Sequence, residues 1–255
     1  MASKNNRHKI GESFIELQSV DSTNNYAFDM IQAKLAAHGL AIFAHEQTKG
    51  KGQHGKAWVS EKSENIMLSV VLDASFLQLH QQFYLSAAMA LAGYDFMKKY
   101  LHKHIFIKWP NDLYWNDKKA CGILIETKIG KPSLGIHRAV AGFGINVNQT
   151  KFPAALKNPV SLKLITGLHY KPVDLSKRLC VFIEKRFTQL KKGKYKLLLK
   201  QYNKHLYKLN EEVKLKQKNI VFTRTIKGVD EMGNLLVENA AKDSYAWGEV
   251  EFYIA

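Results

Sequence analysis

Short runs of hydrophobic residues, separated by polar turns, predict a series of β-strands in the first two thirds of the chain. The runs have the length of buried or half-buried strands and cover residues 40–45, 65–73, 105–109, 113–115, 120–127 and 139–147. The polar stretch N-D-K-K between Trp115 and Ala120 predicts a hairpin connection. Strands joined by such short turns indicate an antiparallel-rich sheet.

Hydrophobic residues at helical spacing predict four helices, at about residues 22–38, 80–101, 173–192 and 194–209. Asp21 or Ser22 can cap the first helix, which Gly39 ends. Asp174 is the expected cap of the third. Together the two patterns predict an α+β protein in which a central mixed, antiparallel-rich sheet is flanked by helices.

From Glu211 onward the pattern changes to short strands joined by turns. The strand segments read V-K-L-K, I-V-F-T-R-T-I-K-G, N-L-L-V-E-N and W-G-E-V-E-F-Y-I, and the turns contain D-E-M-G-N and A-K-D-S. The change predicts a boundary between a main domain, residues 1–210, and a small all-β domain, residues 211–255.

Composition excludes several classes of protein. With 255 residues, 46% of them apolar, the chain can bury a substantial core. It contains no membrane-length apolar run, and its first residues lack the apolar stretch of a secretory signal, so we expect a cytoplasmic protein. Cys121 and Cys180 are the only cysteines and lack metal-ligand spacing, which argues against a disulfide framework or a zinc site.

The net charge of +16 is concentrated between residues 185 and 218, which hold twelve Lys or Arg against Glu211 and Glu212. Lysines recur at every fourth position from Lys192 to Lys208, opposite an apolar face. Two interpretations remain open: a solvated helix face, or a steering surface for an acidic protein or a nucleic acid. No aromatic stacking platform favours a nucleic acid.

The stretch T-K-G-K-G-Q-H-G-K-A-W at 48–58 fits both the G-x-G-x-x-G and the G-x-x-x-x-G-K phosphate-binding patterns. A Walker loop needs Ser or Thr after the lysine, but position 57 is alanine. A Rossmann loop needs a helix at Gly55, yet a predicted strand follows about ten residues later, although Asp73 stands near the position of a ribose-binding acid. A basic glycine loop that can cover an anionic intermediate is the alternative to a plain mobile surface loop.

The segment K-W-P-N-D-L-Y-W-N-D-K-K-A-C-G-I-L-I-E at 108–126 is a second candidate for chemistry. Pro110 ends one strand, so Asn111 and Asp112 can present polar atoms at the end of the sheet. Lys119 follows at the start of the next strand. We therefore expect a carboxylate able to hold magnesium and an amine able to meet phosphate charge to lie close together, unless the segment is only a hairpin with a polar tip.

Four motifs occur in the order seen in biotin protein ligases. They are D-S-T-N at 21–24, the glycine loop with Trp58, K-W-P-N-D-L followed by K-x-C-G-I-L-x-E, and G-F-G-I-N-V-N at 142–148. The resemblance runs from about residue 13 to the end, because G-V-D-E-M-G-N-L-L-V with W-G-E-V is similar to the C-terminal barrel of that family. It implies a catalytic domain like those of biotin ligases and class II aminoacyl-tRNA synthetases, with a small Src-homology-3-like β-barrel.

The resemblance also implies an activity. Members of the family use ATP and Mg²⁺ to convert biotin into biotinyl-5'-AMP, and they transfer biotin to a lysine of the biotin carboxyl carrier protein of acetyl-CoA carboxylase or a related carboxylase. Only about twenty residues precede D-S-T-N, too few for the DNA-binding domain of some members. We therefore expect a ligase-only protein that does not bind DNA, and a homodimer is left open.

Site residues carry over from the matching motifs. Those expected to bind biotin are Ser22, Thr23, Asn24, Gln47, Lys51, Gly52, Gln53 and Lys119. Those expected to bind ATP or the adenylate are Trp58, Asn111, Asp112 and Asn146. Lys119 and Asp112 are the expected catalytic residues, and Asp112 the expected magnesium ligand. Ser22 and Thr23 could instead serve only as helix caps, and Trp58 could belong to the core.

The glycine loop departs from the family pattern. The family commonly has G-R-G-R-R-G-R, whereas this chain has Lys51, Gln53, His54 and Lys56 in place of the arginines. Because lysine is a point charge and glutamine is neutral, we expect the adenylate to escape faster here.

Two rival functions remain. A lipoate or octanoate ligase would share the fold, but its R-R-x-x-G-G-G-type segment is not found in this sequence. A basic nucleic-acid-binding protein is the rival from another class, which a steep salt dependence of binding would reveal.

Overall fold

The computed structural model describes residues 9–129, 136–156, 158–238 and 242–253. A seven-stranded sheet forms the centre of the fold, in the order β1-β2-β3-β7-β6-β5-β4. Its strands are β1 (Phe14–Leu17), β2 (Ala41–Ala44), β3 (Asn65–Asp73), β4 (Ile105–Lys108), β5 (Asp112–Trp115), β6 (Lys118–Ile129) and β7 (Ile136–Asn146). Only β1 and β2 pair in parallel among these strands; the other neighbours are antiparallel. The prediction of a mixed, antiparallel-rich sheet is confirmed.

Five α-helices pack on the two faces of this sheet in the described part of the chain. They are α1 (Thr23–Gln32), α2 (Gln82–Leu101), α3 (Leu162–Thr166), α4 (Pro172–Lys191) and α5 (Tyr195–Lys204). The sequence patterns missed the short helix α3 and the edge strand β1. In the described residues, no helix has the length and apolarity needed to cross a membrane.

Strand β3 shows how the sheet separates two sides of the molecule, since successive side chains point to opposite faces. Ile66, Leu68 and Val70 are buried in the main core with α2, α4 and α5. Met67 lines a cavity on the other face, and Val71 packs with α1 on that side. The helices on one face therefore support the sheet, and the other face is left for a site.

The end of α1 was predicted wrongly. The helix stops at Gln32, not at Gly39, and Leu35 is 69% exposed. Lys34 adopts a left-handed conformation with φ of 61°, and the amides of Leu35 and Ala36 both donate to the carbonyl of Met30. This arrangement closes the helix with a lysine at a position where glycine is usual, so no residue type in the sequence marked the end of the helix.

The later helices also differ from prediction. Asp174 lies in the first turn of α4 rather than at its cap, because the helix already begins at Pro172, a residue suited to the first helical position. Helix α5 ends at Lys204 and not at residue 209. Beyond its end, the amide of Ile107 donates to the carbonyl of His205, so a strand contact draws the chain out of the helix.

The C-terminal residues form a second sheet in the order β11-β10-β9-β8-β12. Its strands are β8 (Glu212–Gln217), β9 (Ile220–Val229), β10 (Leu235–Glu238), β11 (Ser244–Tyr245) and β12 (Glu251–Phe252), of which the sequence patterns missed β11. Its neighbours are antiparallel. Within the described residues β11 and β12 do not pair with each other, so the sheet is open and the closed barrel stays a prediction.

The second sheet packs closely against the rest of the chain. The indole of Trp109 donates to the carbonyl of Gly233 at 2.9 Å, in the turn between β9 and β10. A Cβ atom at Gly233 would lie 2.5 Å from the ring of Phe83 on α2, so this turn accepts only glycine. The side chain of Asn203 on α5 bonds both the amide and the carbonyl of Val229. These contacts hold the end of β9 and the turn that follows it against α2, α5 and the residue after β4.

Candidate active site

A cavity of about 500 Å³ lies on the open face of the sheet. It is bounded by the N-terminus of α1, the glycine loop, and strands β3, β5, β6 and β7. Every residue that the sequence predicted for the site lines it: Ser22, Thr23, Asn24, Gln47, Lys51, Gly52, Gln53, Trp58, Asn111, Asp112, Lys119 and Asn146. Four separate motifs thus meet in one place, while the role of each residue remains a prediction.

The buried end of the cavity is polar. The backbone amide and the hydroxyl of Thr23 both donate to Gln47 Oε1, at 2.7 and 3.0 Å. Ser22 occupies the N-cap position of α1 but makes no capping hydrogen bond, and it is only 2% exposed. The side chain of Ser22 therefore does not cap the helix, and Ser22 lines the cavity.

The sheet forms the floor of the cavity, and glycines of β7 lie in this floor. A Cβ atom at Gly142 would lie 2.4 Å from Asn24 Oδ1, and one at Gly144 would lie 2.5 Å from Cε2 of Trp58. Both side chains therefore rest directly on the strand backbone. Trp58 is half-buried against the sheet rather than in the core, and its indole Nε1 is buried with no hydrogen-bond partner in the described residues.

The hairpin of β5 and β6 brings the predicted catalytic pair together. Lys119 Nζ lies 2.8 Å from Asp112 Oδ2. A shift of register between Leu113 and Tyr114 places both side chains at the cavity. The ammonium also lies 5.8 Å from the centre of the Trp58 ring. The expectation that a carboxylate and an amine lie close together is confirmed, and the pair is held on a rigid strand.

Two asparagines brace this part of the wall. Asn111 donates from its side chain to the carbonyl of Ile123 on β6. Asn146 donates to the carbonyls of Val160 and Lys119, at 3.2 and 3.4 Å. Because their amide nitrogens hold backbone, these residues fix the strands around Lys119 as well as facing the cavity.

The glycine loop folds as a tight hairpin over the cavity. The amide of Trp58 donates to the carbonyl of Gly50, and that of Gly52 to the carbonyl of Lys56. Residues Gln53–Gly55 form a single 3₁₀ turn, and no helix follows before β3. The Walker and Rossmann interpretations are both excluded, because each requires a helix at this point.

Two ion pairs attach the loop to its surroundings. Lys51 Nζ lies 3.8 Å from Glu126 Oε1 on β6, and Lys56 Nζ lies 3.9 Å from Glu251 Oε2 on β12. All four side chains are at least one-third exposed, so these pairs contribute little to the free energy of folding. The loop is positioned but can still move.

Sequence analysis missed two polar residues at the site. The hydroxyl of Ser69 on β3 lies 2.7 Å from Thr23 Oγ1 and 2.6 Å from Asn24 Oδ1. Glu126 accepts a hydrogen bond of 2.7 Å from Asn24 Nδ2. A serine inside the apolar strand N-I-M-L-S-V-V-L-D and a glutamate ending K-x-C-G-I-L-x-E were the available signals.

Lys108 is a third missed residue, on β4 directly opposite Asp112. Its ammonium lies 5.1 Å from the Tyr114 ring and 5.0 Å from the ring of Phe252 on β12. Burial lowers the pKa of Lys108 below its ordinary range, while the charge of Asp112 acts in the opposite direction. The C-terminal sheet thus contacts Lys108, which pairs with Asp112 across β4 and β5.

Comparison with known proteins connects this geometry to a family. Residues 16–146, just over half of the chain, match the model of the biotin/lipoate A/B protein ligase family. The bifunctional ligase/repressor BirA of Bacillus spizizenii is 27% identical over 233 residues, which are 90% of this chain and 70% of that protein. The biotin–[acetyl-CoA-carboxylase] ligase of Paracoccus denitrificans is 27% identical over 237 residues, or 88% of this chain and 94% of that protein.

A solved structure agrees over nearly the whole length. The biotin protein ligase from Aquifex aeolicus, in complex with biotin and ATP, superposes with a TM-score of 0.80 at 25% identity, covering 96% of this chain and 100% of that one. The match extends through the second sheet as well as the first. This chain belongs to the biotin/lipoate A/B protein ligase family.

Proposed function

We propose that this protein is an ATP-dependent biotin–protein ligase. It activates biotin as biotinyl-5'-AMP and transfers the biotinyl group to a lysine of a biotin carboxyl carrier domain. The observation that carries the proposal is the convergence of four motifs on one cavity, with the Lys119–Asp112 pair at its wall and a cationic loop above. Such a cavity suits a ligand with an apolar body and one anionic end.

The polar end of α1 would bind the ureido ring of biotin. Ser22 and Thr23 offer hydroxyls, and Asn24 and Gln47 offer amides, in a pocket where all but Gln47 are buried. Because buried polar groups without partners are costly, this pocket favours a ligand that supplies matching donors and acceptors. Lipoate has no ureido group, so the pocket should discriminate against it.

The loop and Lys119 would handle the anionic end. In the first step a carboxylate oxygen of biotin attacks the α-phosphorus of ATP, the bond to the β-phosphate oxygen breaks, and pyrophosphate leaves. Lys119 is placed to stabilise the negative charge that develops there. Lys51, Gly52 and Gln53 would close over the mixed anhydride and exclude water from it.

The remaining wall would hold the nucleotide. Trp58 presents an aromatic face on the sheet for adenine, and Asn111 and Asn146 would contact the ribose or phosphates. Asp112 would be the protein ligand of Mg²⁺, which commonly takes one or two carboxylates and completes its shell with water and phosphate oxygens. No cluster of three His, Cys, Asp or Glu suited to a metal occurs in the described residues, so the ion would enter with ATP. When bound, it would neutralise phosphate charge.

In the second step the amine of the carrier lysine attacks the acyl carbon of biotinyl-5'-AMP. The carbon–oxygen bond to phosphate breaks, AMP leaves, and the attacking nitrogen loses a proton to form the amide. The relatives named as biotin–[acetyl-CoA-carboxylase] ligases support a carboxylase carrier domain as the acceptor. The glycine loop lines the cavity, so the carrier lysine would pass this loop to reach the acyl carbon.

The wider organisation follows from the same proposal. Residues 1–210 would form the ligase domain, and residues 211–255 a small β-barrel domain of the Src-homology-3 type. A cytoplasmic location accompanies it. Helix α5 packs through Leu198 and Tyr202 on the main core, on the face of the sheet opposite the cavity. Its lysine-rich face therefore lies away from the cavity.

The test is a transfer assay. Purified protein is incubated with ATP, Mg²⁺, a biotin carboxyl carrier domain and either biotin, lipoate or octanoate, and the carrier is analysed by streptavidin blot and mass spectrometry. We expect a mass increase with biotin alone that requires ATP. Modification by lipoate or octanoate instead would assign the protein to the other branch of the family, and no modification with any acid would refute the proposal.

A further inference from the structure

The carboxylate of Glu126 connects two parts of the site that the sequence treats separately. One oxygen accepts a hydrogen bond of 2.7 Å from Asn24 Nδ2, next to the proposed biotin pocket. The other lies 3.8 Å from Nζ of Lys51 in the glycine loop. A single side chain on β6 therefore contacts both the pocket and the loop.

Asn24 depends on this carboxylate for its orientation. Its side chain crosses the sheet from β3 to β6: Oδ1 lies 2.6 Å from the hydroxyl of Ser69, and Nδ2 reaches Glu126. Gly142 on β7, between these strands, leaves the space for it, since a Cβ atom there would lie 2.4 Å from Oδ1. Asn24 is 3% exposed, so removal of its acceptor on β6 would leave a buried N–H group unpaired.

The contact with Lys51 is of a different kind. Lys119, the lysine of the expected catalytic pair, lies 2.8 Å from Asp112, whose side chain is 19% exposed. Lys51 is 42% exposed and its distance to Glu126 is 3.8 Å. A long and exposed ion pair is weak and is readily exchanged for another anion. Of these two pairs, only Lys51–Glu126 is therefore suited to exchange.

We propose that Glu126 is a positioning residue with two separable actions. As a hydrogen-bond acceptor it fixes Asn24 in the biotin pocket, and as a negative charge it is the resting partner of Lys51, which the carboxylate of biotin replaces on binding. This inference rests on the proposed function, because it requires biotin as the ligand. The first action strengthens binding, and the second opposes it.

Two substitutions separate these actions. Glu126→Gln removes the charge but keeps an acceptor for Asn24, whereas Glu126→Ala removes both. Calorimetric titration with biotin and with biotinol, its uncharged alcohol analogue, separates effects on the carboxylate from effects on the pocket. We expect Glu126→Gln to bind biotin about twofold to fivefold more tightly than the natural protein and to bind biotinol equally well. Glu126→Ala should bind biotinol roughly tenfold more weakly than Glu126→Gln.

A double variant that also lacks the Lys51 ammonium tests whether Glu126 acts through this lysine. In Lys51→Met, the change Glu126→Gln should no longer alter the ratio of biotin to biotinol affinity, since the exchanged partner is gone. Glu251→Gln is the matched control, because it removes the other ion pair of the loop, with Lys56, and should leave that ratio as in the natural protein.

The outcomes are distinct. An unchanged ratio in Glu126→Gln, or the same change of ratio with Lys51 absent, would refute the exchange of partners. Equal biotinol affinity in Glu126→Gln and Glu126→Ala would refute the orientation of Asn24. If the natural protein bound neither biotin nor biotinol, the proposed function itself would fail, and that result is recognised before any variant is made.

Discussion

The floor and the cover of the cavity are built on opposite principles. The floor consists of β3, β6 and β7, whose backbone is paired on both sides and whose glycines let Asn24 and Trp58 lie against it. The cover is the hairpin of residues 50–58, held by its own backbone bonds and by two exposed ion pairs. One side is fixed before a ligand arrives, and the other can adjust to it.

This difference matches the two demands of an acyl-adenylate. Stabilising charge in the transition state requires groups that are already in place, as Lys119 is on β6. Retaining a reactive anhydride between two steps requires a cover that opens for substrates and for the carrier lysine. We therefore expect changes in the floor to alter the rate or the binding of one substrate, and changes in the loop to alter mainly the lifetime of the intermediate.

The largest effect should follow from removing the fixed ammonium of the floor. Lys119→Met keeps much of the length of the side chain but has no charge, and we expect kcat for carrier biotinylation to fall about 10²- to 10³-fold. Lys118→Met, at the exposed neighbouring position, is the control and should have normal activity. Release of pyrophosphate and labelling of the carrier would both be measured. Normal turnover of Lys119→Met would show that the fixed charge is not catalytic.

Two glycines of the floor, two positions apart, test whether it has separate halves. Gly142→Ala places a methyl group against Asn24, and Gly144→Ala places one against Trp58. We expect the first to raise KM for biotin and the second to raise KM for ATP, each about tenfold, since overpacking costs about 1–3 kcal/mol. Each variant is the control for the other. A rise of the same KM in both, with unchanged melting temperatures, would contradict the division.

Sequence could predict the floor and the pairing of Asp112 with Lys119 because the necessary signals are local. The hairpin turn brings the two strands together, and the register shift between Leu113 and Tyr114 puts both side chains on the same face. Ser69 and Glu126 could not be found in the same way. Their role depends on Asn24, which is far from both in sequence and reaches them only across the folded sheet.

The errors at the helix ends have a similar origin. Helix α5 was predicted to continue because Leu206 and Leu209 keep its periodicity. It ends earlier because the carbonyl of His205 accepts a hydrogen bond from the amide of Ile107 on β4. Lys34 closes α1 in a conformation that its type seldom adopts. The closure of the C-terminal barrel stays untested, since the edge strands β11 and β12 are not joined in the described residues.

The loop is tested by restoring an arginine. Gln53→Arg adds a planar cation beside the proposed phosphate position, and we expect bound biotinyl-5'-AMP to dissociate about fivefold more slowly, with the rate of its formation unchanged. Gln53→Met, which is neutral and of similar length, is the matched control. Dissociation would be followed by a chase with unlabelled biotin and ATP. If the arginine variant released biotinyl-5'-AMP as fast as the natural protein, the neutral side chain of Gln53 would not be the cause of faster adenylate escape.

The smallest effect concerns the support beneath the floor. His38 packs on Phe187 of α4, and its Nδ1 accepts a hydrogen bond of 3.3 Å from the amide of Asp73 at the end of β3. Burial lowers the pKa of His38 below its ordinary value of 6.5. Its neutral form is therefore the one that stabilises the fold, and a proton on Nδ1 would remove the bond to Asp73.

The sign of the pH effect follows from this. The unfolded chain takes up the proton of His38 near pH 6.5 and the folded chain only at lower pH, so the stabilisation is complete above pH 6.5 and is lost as pH falls below it. We expect the loss of melting temperature between pH 7.5 and pH 5.5 to be a few degrees smaller in His38→Asn than in the natural protein, because the amide does not titrate in that range. Since Glu126 and Lys51 do not take part, the lifetime of the adenylate at neutral pH should be the same in both proteins. If the melting temperatures of the two proteins fell equally with pH, titration of His38 would not contribute to the pH dependence of stability. A shorter lifetime of bound biotinyl-5'-AMP in His38→Asn would show that the support beneath the floor and the cover are not independent.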